Sequence, residues 1–328
     1  MNYNEVAPRF RSRRAYINEW QKEAANIASR GEHSRHEMLI KQLISKGGTL
    51  YDVLGIVGRL YTLTLADLRY QFAVSLSDEK LKTEEIHLAL MKYFLSAQVS
   101  FFNFERQGFI SQSGEDNRMR PTTIFFSGQL VAFVAVFANQ NFFHNCVKFV
   151  LDQFDIGAVS GTEKPLAPLF MIRLAEKFIG ISPRDWEVEN KPWSVNLFTE
   201  EPLFAELWQH WDTEDMELIH SLLIQLANRH TFTASRNNKD GSRDFAAHAE
   251  QYPIDLHFIM RLREWRGLAN PEIKHRLTEP PFDRLPEPIE TIELPDELHQ
   301  VMKKTREVIP DFDAVINAAK TRDWQMLL

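Results

Sequence analysis

Residues 123–138 have the sequence TIFFSGQLVAFVAVFA, and this apolar stretch decides the fold. It lies in a longer region, Pro121–Val147, that contains no Asp, Glu, Lys or Arg. Its apolar residues follow one another without alternation, which is typical of a helix buried on all sides. A membrane span needs about 20 apolar residues, and here polar residues interrupt the run at Gln129, Asn139, Gln140, Asn141 and Asn145. We therefore predict a central helix that is surrounded by protein.

Helical periodicity extends outward from this central stretch in both directions. Apolar residues recur every three or four positions through most of the first 235 residues, without the sustained alternation of half-buried strands. Residues suited to the N-terminus of a helix precede several of these runs, for example Thr83 and the segment Asp212–Asp215. The sequence therefore predicts an all-α protein, either a multi-helix bundle or an irregular helical array.

Two segments organise the chain. Residues 158–165, AVSGTEKP, are a candidate hinge between an N-terminal helical half (residues 1–158) and a C-terminal helical half (residues 165–328). We expect the halves to pack as one continuous body. Residues 279–297 contain five prolines and seven acidic residues, with Arg284 as the one basic residue. Proline fixes φ and removes a backbone donor, so this acidic segment should be extended, either wrapped on the helical body or free to meet a partner.

Composition limits the class of protein. With 44% hydrophobic and 25% charged residues, the chain resembles ordinary globular proteins. Its single cysteine, Cys146, can form neither an intramolecular disulfide nor a cysteine-based zinc site, and is expected to be buried. No apolar run follows the arginines of the first fourteen residues, MNYNEVAPRFRSRR, so we expect no secretory signal and a cytoplasmic location.

The balance of charge bears on the partner. The formal net charge is −7, which disfavours nucleic acid as a partner and favours a basic protein. The one basic cluster lies near the N-terminus and is assigned to solvated surface; it comprises Arg9, Arg11, Arg13 and Arg14.

Catalytic signatures do not appear in the sequence. We find no G-x-S-x-G, P-loop, G-x-G-x-x-G or H-E-x-x-H pattern. His33 and His36 lie three residues apart beside acidic residues and could share a metal, but the remaining histidines are scattered. We predict that the protein is not an enzyme and assign no catalytic, cofactor-binding or metal-binding residue. A helical metal-dependent hydrolase that uses these two histidines remains an alternative.

Acidic residues cluster in the second half of the chain, close to tryptophans. Several clusters fall at loops and helix starts, where they could form one acidic surface and attract a cationic protein, with aromatic side chains as anchors. The predicted partner-binding residues are Glu200, Glu201, Trp208, Trp211, Asp212, Glu214, Asp215, Glu287, Glu290 and Glu293.

Residues 252–268, YPIDLHFIMRLREWRGL, followed by Asn270-Pro271-Glu272 and His275, resemble the C-terminal part of bacterial all-helical immunity proteins. These proteins are encoded beside polymorphic or type VI secretion toxins and neutralise them by direct binding. Within LREWRGL we expect the arginines to pair with neighbouring acids and the tryptophan to pack inward.

The resemblance implies a cytoplasmic inhibitor without a cofactor. It would occlude the active site of a cognate, basic toxin, such as a nuclease. A helical scaffold or adaptor protein with an endogenous protein partner is the alternative. The oligomeric state stays open.

Overall fold

A computed structural model describes residues 4–29, 38, 40–45, 68, 70–92, 94, 97–98, 122–155, 159–160, 165–181, 197–234, 250–290 and 296–314. Within these ranges the helices are α1 (Arg13–Ser29), α2 (Ile124–Phe137), α3 (Gln140–Asp155), α4 (Leu166–Ile179), α5 (Leu197–Glu200), α6 (Pro202–His210), α7 (Met216–Ala234), α8 (Ile254–Trp265) and α9 (Asp296–Val308). Residues 40–45, 70–78 and 83–92 are also helical. The strands β1 (Thr122–Thr123) and β2 (Val159–Ser160) form one short parallel pair. The predicted all-α fold is confirmed.

Helix α2 lies at the centre of the packing. Thirteen of its fourteen residues are buried, and α3, α4 and α8 all contact it. A helix without charged side chains is stable in a folded protein when other elements cover every side, and these three helices supply much of that cover. The predicted central helix is confirmed. Among the described residues, no helix is long and apolar enough to cross a membrane.

The contact between α2 and α4 depends on a glycine. A Cβ atom at Gly128 would lie 2.4 Å from the carbonyl oxygen of Pro168 and 2.5 Å from its Cα. Pro168 belongs to the first turn of α4, where a proline is tolerated because the first amide groups of a helix have no acceptor within it. The missing side chain therefore lets the two backbones meet directly.

Residues of both predicted halves belong to one hydrophobic core. The ring of Phe72, from the first half, stacks on Tyr252, from the second, with ring centroids 4.5 Å apart. The strand β2, which lies in the predicted hinge, pairs with β1 at the start of the central helix. The hinge residues 161–164 lie outside the described ranges, and the boundary between the halves stays a prediction.

The proline-rich acidic segment is wrapped on the helical body. Residues 283–290, which we call the acidic strap, contain no helix. The amide nitrogen of Ile289 donates to the carbonyl of Phe137 at 3.1 Å. Close by, the side-chain Nδ2 atom of Asn139 donates to the backbone carbonyl of Glu290 at 2.7 Å. Of the two placements that the sequence allowed for residues 279–297, the wrapped one is therefore found for residues 279–290; residues 291–295 lie outside the described ranges.

Replacing Gly128 with alanine tests the contact between α2 and α4. Helix propensity alone would stabilise the protein by about 1 kcal/mol, but the new Cβ meets backbone atoms that cannot turn away. We expect the clash to dominate and to lower the free energy of unfolding by about 1–3 kcal/mol. Urea unfolding followed by circular dichroism measures this change. An unfolding midpoint equal to or above that of the parent protein would contradict the close approach.

Candidate partner-binding surface

Four exposed carboxylates surround the turn between α6 and α7. This group, which we call the acidic edge, comprises Asp212, Glu214, Asp215 and Glu217. No lysine or arginine occurs between Glu200 and Asn228 in the sequence. None of the four carboxylates forms an ion pair with a residue in the described part of the chain. The edge is therefore a local concentration of negative charge without an ion pair among the described residues.

Met216 lies between Asp215 and Glu217 in the sequence and is 40% exposed. It is one of few large apolar side chains that reach solvent among the described residues. A flexible, polarizable methionine adapts to an apolar partner surface, so Met216 combines with the surrounding carboxylates to form an apolar contact inside an acidic rim. Sequence reasoning missed Met216. The signal that could have identified it is an apolar residue placed between acids at the first position of a helix.

Asp215 has a structural role in addition to its contribution to the negative charge. Its Oδ1 atom accepts hydrogen bonds from the backbone nitrogens of Glu217 and Leu218, both at 3.0 Å. It is therefore the N-cap of α7, and its carboxylate lies at the positive end of the helix dipole. The helix predicted to start in the segment Asp212–Asp215 begins at Met216, directly after this cap.

A buried arginine lies beneath the acidic edge. Arg263 is fully buried, and its Nη1 atom donates to the carbonyls of Trp211 at 2.7 Å and Thr213 at 2.9 Å. Its Nη2 atom donates to the carbonyl of Ala269 at 2.7 Å, and its Nε atom to Oδ1 of Asn270 at 3.2 Å. Burial lowers the pKa of Arg263, and the nearby Asp212 carboxylate opposes this shift.

A second arginine of α8 holds the acidic strap. Arg261 donates to the carbonyl of Pro286 and, at 3.3 Å, to the carbonyl of Val136 at the end of α2. Its Nη1 atom also pairs with the Glu264 carboxylate at 2.6 Å. Arg263 and Arg266 are the arginines of LREWRGL, and the pairing with acids that we expected is found for neither of them among the described residues. Arg263 donates to backbone carbonyls and one amide side chain, and Arg266 donates to the carbonyl of Phe178 at 3.4 Å.

The tryptophan of the same segment packs inward, as predicted. Its ring centroid lies 5.1 Å from that of Phe143 and 5.8 Å from that of Phe178. Trp265 therefore belongs to the packing of α8 against α3 and α4.

The acidic edge and the acidic strap are held by different arginines of α8, and the single acidic surface that the sequence suggested stays a prediction. Residues two positions apart on an α-helix leave its axis about 160° apart, so Arg261 and Arg263 point to different sides of α8. Each arginine holds one of the two acidic segments. The strap carries the exposed residues Glu287 and Glu290. We conclude that the acidic edge and the acidic strap are attached to different sides of α8.

Two of the predicted partner-binding residues lie in the interior. Glu201 is 5% exposed, and its Oε2 atom accepts a hydrogen bond from Nε of Arg229 at 2.6 Å. Trp211 is 1% exposed and meets the ring of Phe178 edge-on, with centroids 6.1 Å apart. Neither side chain is presented to a partner, because the core encloses both.

The remaining predicted residues have varied positions. Glu200 is exposed. Trp208 is half-buried beside Phe198, and the Lys177 ammonium lies 4.7 Å from its ring centroid. Glu293, like the candidate metal ligands His33 and His36, lies outside the described ranges.

The N-terminal arginines divide into two pairs. Arg9 and Arg14 are exposed, as predicted. Arg11 pairs with the buried carboxylate of Glu250 at 3.2 Å, and Arg13 donates to the backbone carbonyl of Glu279 at 2.7 Å. The assignment of the whole cluster to solvated surface is therefore wrong for Arg11 and Arg13. These two side chains attach the start of the chain to the segments on either side of α8.

A cavity of about 720 Å³ lies against the turn that precedes the strap, but its charges are balanced. Three acids and three strong bases line it. The Glu272 carboxylate lies 3.7 Å from the Lys274 ammonium, and the Asp283 carboxylate lies 3.7 Å from Nε of Arg284. Such a lining selects neither an anion nor a cation. In the part of the chain that the structure describes, no group of three potential metal ligands comes together.

Comparisons with known protein families, with curated proteins and with solved structures found no match. The resemblance of residues 252–268 to immunity proteins therefore stays a prediction. The acidic edge combines four exposed carboxylates with a backbone that Arg263 holds from below.

Two histidines beside the strap are held in the neutral form. His275 accepts a hydrogen bond at Nδ1 from the backbone nitrogen of Leu277 at 3.0 Å, so its Nε2 atom carries the proton and donates to Asn228. His257 lies 2.9 Å from the Tyr252 hydroxyl in the core. Burial lowers the pKa of His257 to about 3 and that of His275 to about 4.

Acid should therefore destabilise the protein. Below the ordinary histidine pKa of about 6.5 the unfolded chain takes up protons that the folded protein does not. The contribution of the two neutral histidines to the free energy of unfolding is therefore fully present above that pH and decreases as the pH falls toward 4. His275→Asn keeps an acceptor near the Leu277 amide but cannot titrate. We expect its melting temperature to fall less between pH 6.5 and 4 than that of the parent protein. Exposed His220→Asn is the control and should keep the parental slope; the same slope in His275→Asn would contradict this account.

Proposed function

We propose that this protein is an immunity protein that binds and neutralises a basic toxin, with the acidic edge as the contact surface. The observation that carries the proposal is the combination of Met216 with four exposed carboxylates that form no ion pair with a described residue, on a backbone held by buried Arg263. The resemblance of residues 252–268 to immunity proteins supports the same function.

The chemistry of the edge suits a cationic protein. Unpaired carboxylates attract a basic surface over a distance of about one Debye length, roughly 8 Å at physiological salt, and so raise the association rate. Met216 supplies an apolar contact at the centre, where desolvation makes such a contact most valuable. The edge covers the entrance to the active site of the toxin and thereby excludes its substrate. This mode of inhibition needs no cofactor.

The place of action follows from the same proposal. An immunity protein protects the cell that makes the toxin, so it meets the toxin in the cytoplasm. A protein with an endogenous basic partner could use the same edge, as an adaptor would. The neighbouring gene separates the two functions, because an immunity protein is encoded beside its toxin.

Co-expression with the product of the gene immediately upstream tests the proposal. We expect that product alone to stop growth, and this protein to restore growth and to co-purify with it. A harmless upstream product, or killing that continues in the presence of this protein, would contradict an immunity function.

A matched pair of charge reversals tests the assignment to the acidic edge. Glu214→Lys with Glu217→Lys changes two edge carboxylates but leaves the cap Asp215 in place. We expect the Kd for the upstream product to rise at least about tenfold and its salt dependence to decrease. Titration calorimetry at two salt concentrations measures both.

The control carries the same change of charge on the strap, as Glu287→Lys with Glu290→Lys. It should leave the Kd within about twofold of the parental value. Weaker binding by the strap variant, with normal binding by the edge variant, would place the interface on the strap and overturn the assignment.

A further inference from the structure

The backbone of the acidic edge has few hydrogen bonds of its own. The amide nitrogen of Trp211 donates to the carbonyl of Leu207 at 2.9 Å, and that of Thr213 to the carbonyl of His210 at 3.1 Å. The carbonyls of Trp211 and Thr213 instead accept from Arg263. One guanidinium group therefore holds two alternate peptide groups of the turn.

This arrangement orients the side chains between and beside the two held peptides. Asp212 and Glu214 are exposed, whereas Trp211 is buried and Thr213 is half-buried. The turn therefore alternates between side chains that face the protein and side chains that face solvent. The carboxylates of the edge take their positions from the two peptide groups that Arg263 fixes.

The other side of the guanidinium is fixed by the end of α8. Gly267 has a φ of +76°, which glycine adopts without strain, and the amide nitrogen of Leu268 donates back to the carbonyl of Arg263 at 3.0 Å. This turn brings the carbonyl of Ala269 and the side chain of Asn270 to the guanidinium. Arg263 thus connects a rigid helix end to the acidic edge.

We infer that Arg263 is the positioning residue of the acidic edge, and that it sets the spacing of the carboxylates before a partner binds. The inference rests on the proposed function and deepens it. A surface ordered in advance loses less conformational entropy on binding, so it binds more tightly than a mobile surface with the same charges. Lysine cannot replace this arginine, because an ammonium group lacks the planar fork that reaches separate carbonyls.

Arg263→Lys tests this role without removing a charge. We expect the amides of residues 212–217 to exchange with solvent about tenfold faster, and the Kd for the upstream gene product to rise about tenfold. The slope of log Kd against log salt should stay at its parental value, because every edge carboxylate is still present. A purely structural role would lower the melting temperature but leave the Kd unchanged at temperatures where the variant is folded.

Arg266→Lys is the matched control. Arg266 is exposed one residue beyond the end of α8, and this substitution should leave exchange and Kd unchanged. Asn270→Ala is a milder second variant, because it removes one of the four acceptors of Arg263, together with the hydrogen bond from Nδ2 of Asn270 to the carbonyl of Met260 at 2.9 Å. It should change exchange and Kd in the same direction as Arg263→Lys, but less, and it carries the test if Arg263→Lys does not fold.

The outcomes separate this inference from the proposed function. If the folded variant, Arg263→Lys or in its place Asn270→Ala, binds with the parental Kd, the positioning role is wrong and the proposed function stands. If the unsubstituted protein does not bind the upstream gene product, the proposed function fails and the positioning role for binding fails with it.

Discussion

The burial of a helix without charges is the constraint on which the rest of the structure depends. Helix α2 has no charged side chain, and its polar residues Ser127 and Gln129 are themselves buried, so it needs neighbours on every side. Helices α3, α4 and α8 provide them, and Gly128 brings α2 and α4 into backbone contact. The acidic strap covers the end of the same helix. The positions of α8 and of the strap therefore follow from the need to cover α2.

Helix α8 connects this apolar centre to the charged surface. Burying a guanidinium group is costly unless its hydrogen bonds are made. Arg261 and Arg263 offset this cost by donating to backbone carbonyls of the segments that carry the acids. Each acidic segment therefore lies over a buried cation that holds its backbone and leaves its carboxylates exposed. In this way an element of the core determines where negative charge appears on the surface.

The sequence allowed the prediction of those elements whose structure is determined by neighbouring residues. The uncharged run at α2 predicts a buried helix, and the prolines of residues 279–297 predict an extended segment. Sequence reasoning missed effects that depend on distant partners. The burial of Glu201 follows from Arg229, 28 positions away, and nothing near Glu201 in the sequence indicates that pairing. The two carbonyls of the acidic edge that Arg263 holds belong to residues 52 and 50 positions away, so its role beneath the edge could not be predicted from the sequence either.

We propose that the acidic edge is the surface that meets a basic protein. Hydrogen exchange of this protein, measured with and without the purified product of the upstream gene, shows which surface the partner covers. We expect slower exchange for the amides of residues 212–217 in the complex and unchanged exchange for the strap residues 283–290. Slower exchange that is confined to the strap, or to any surface other than the acidic edge, would contradict it.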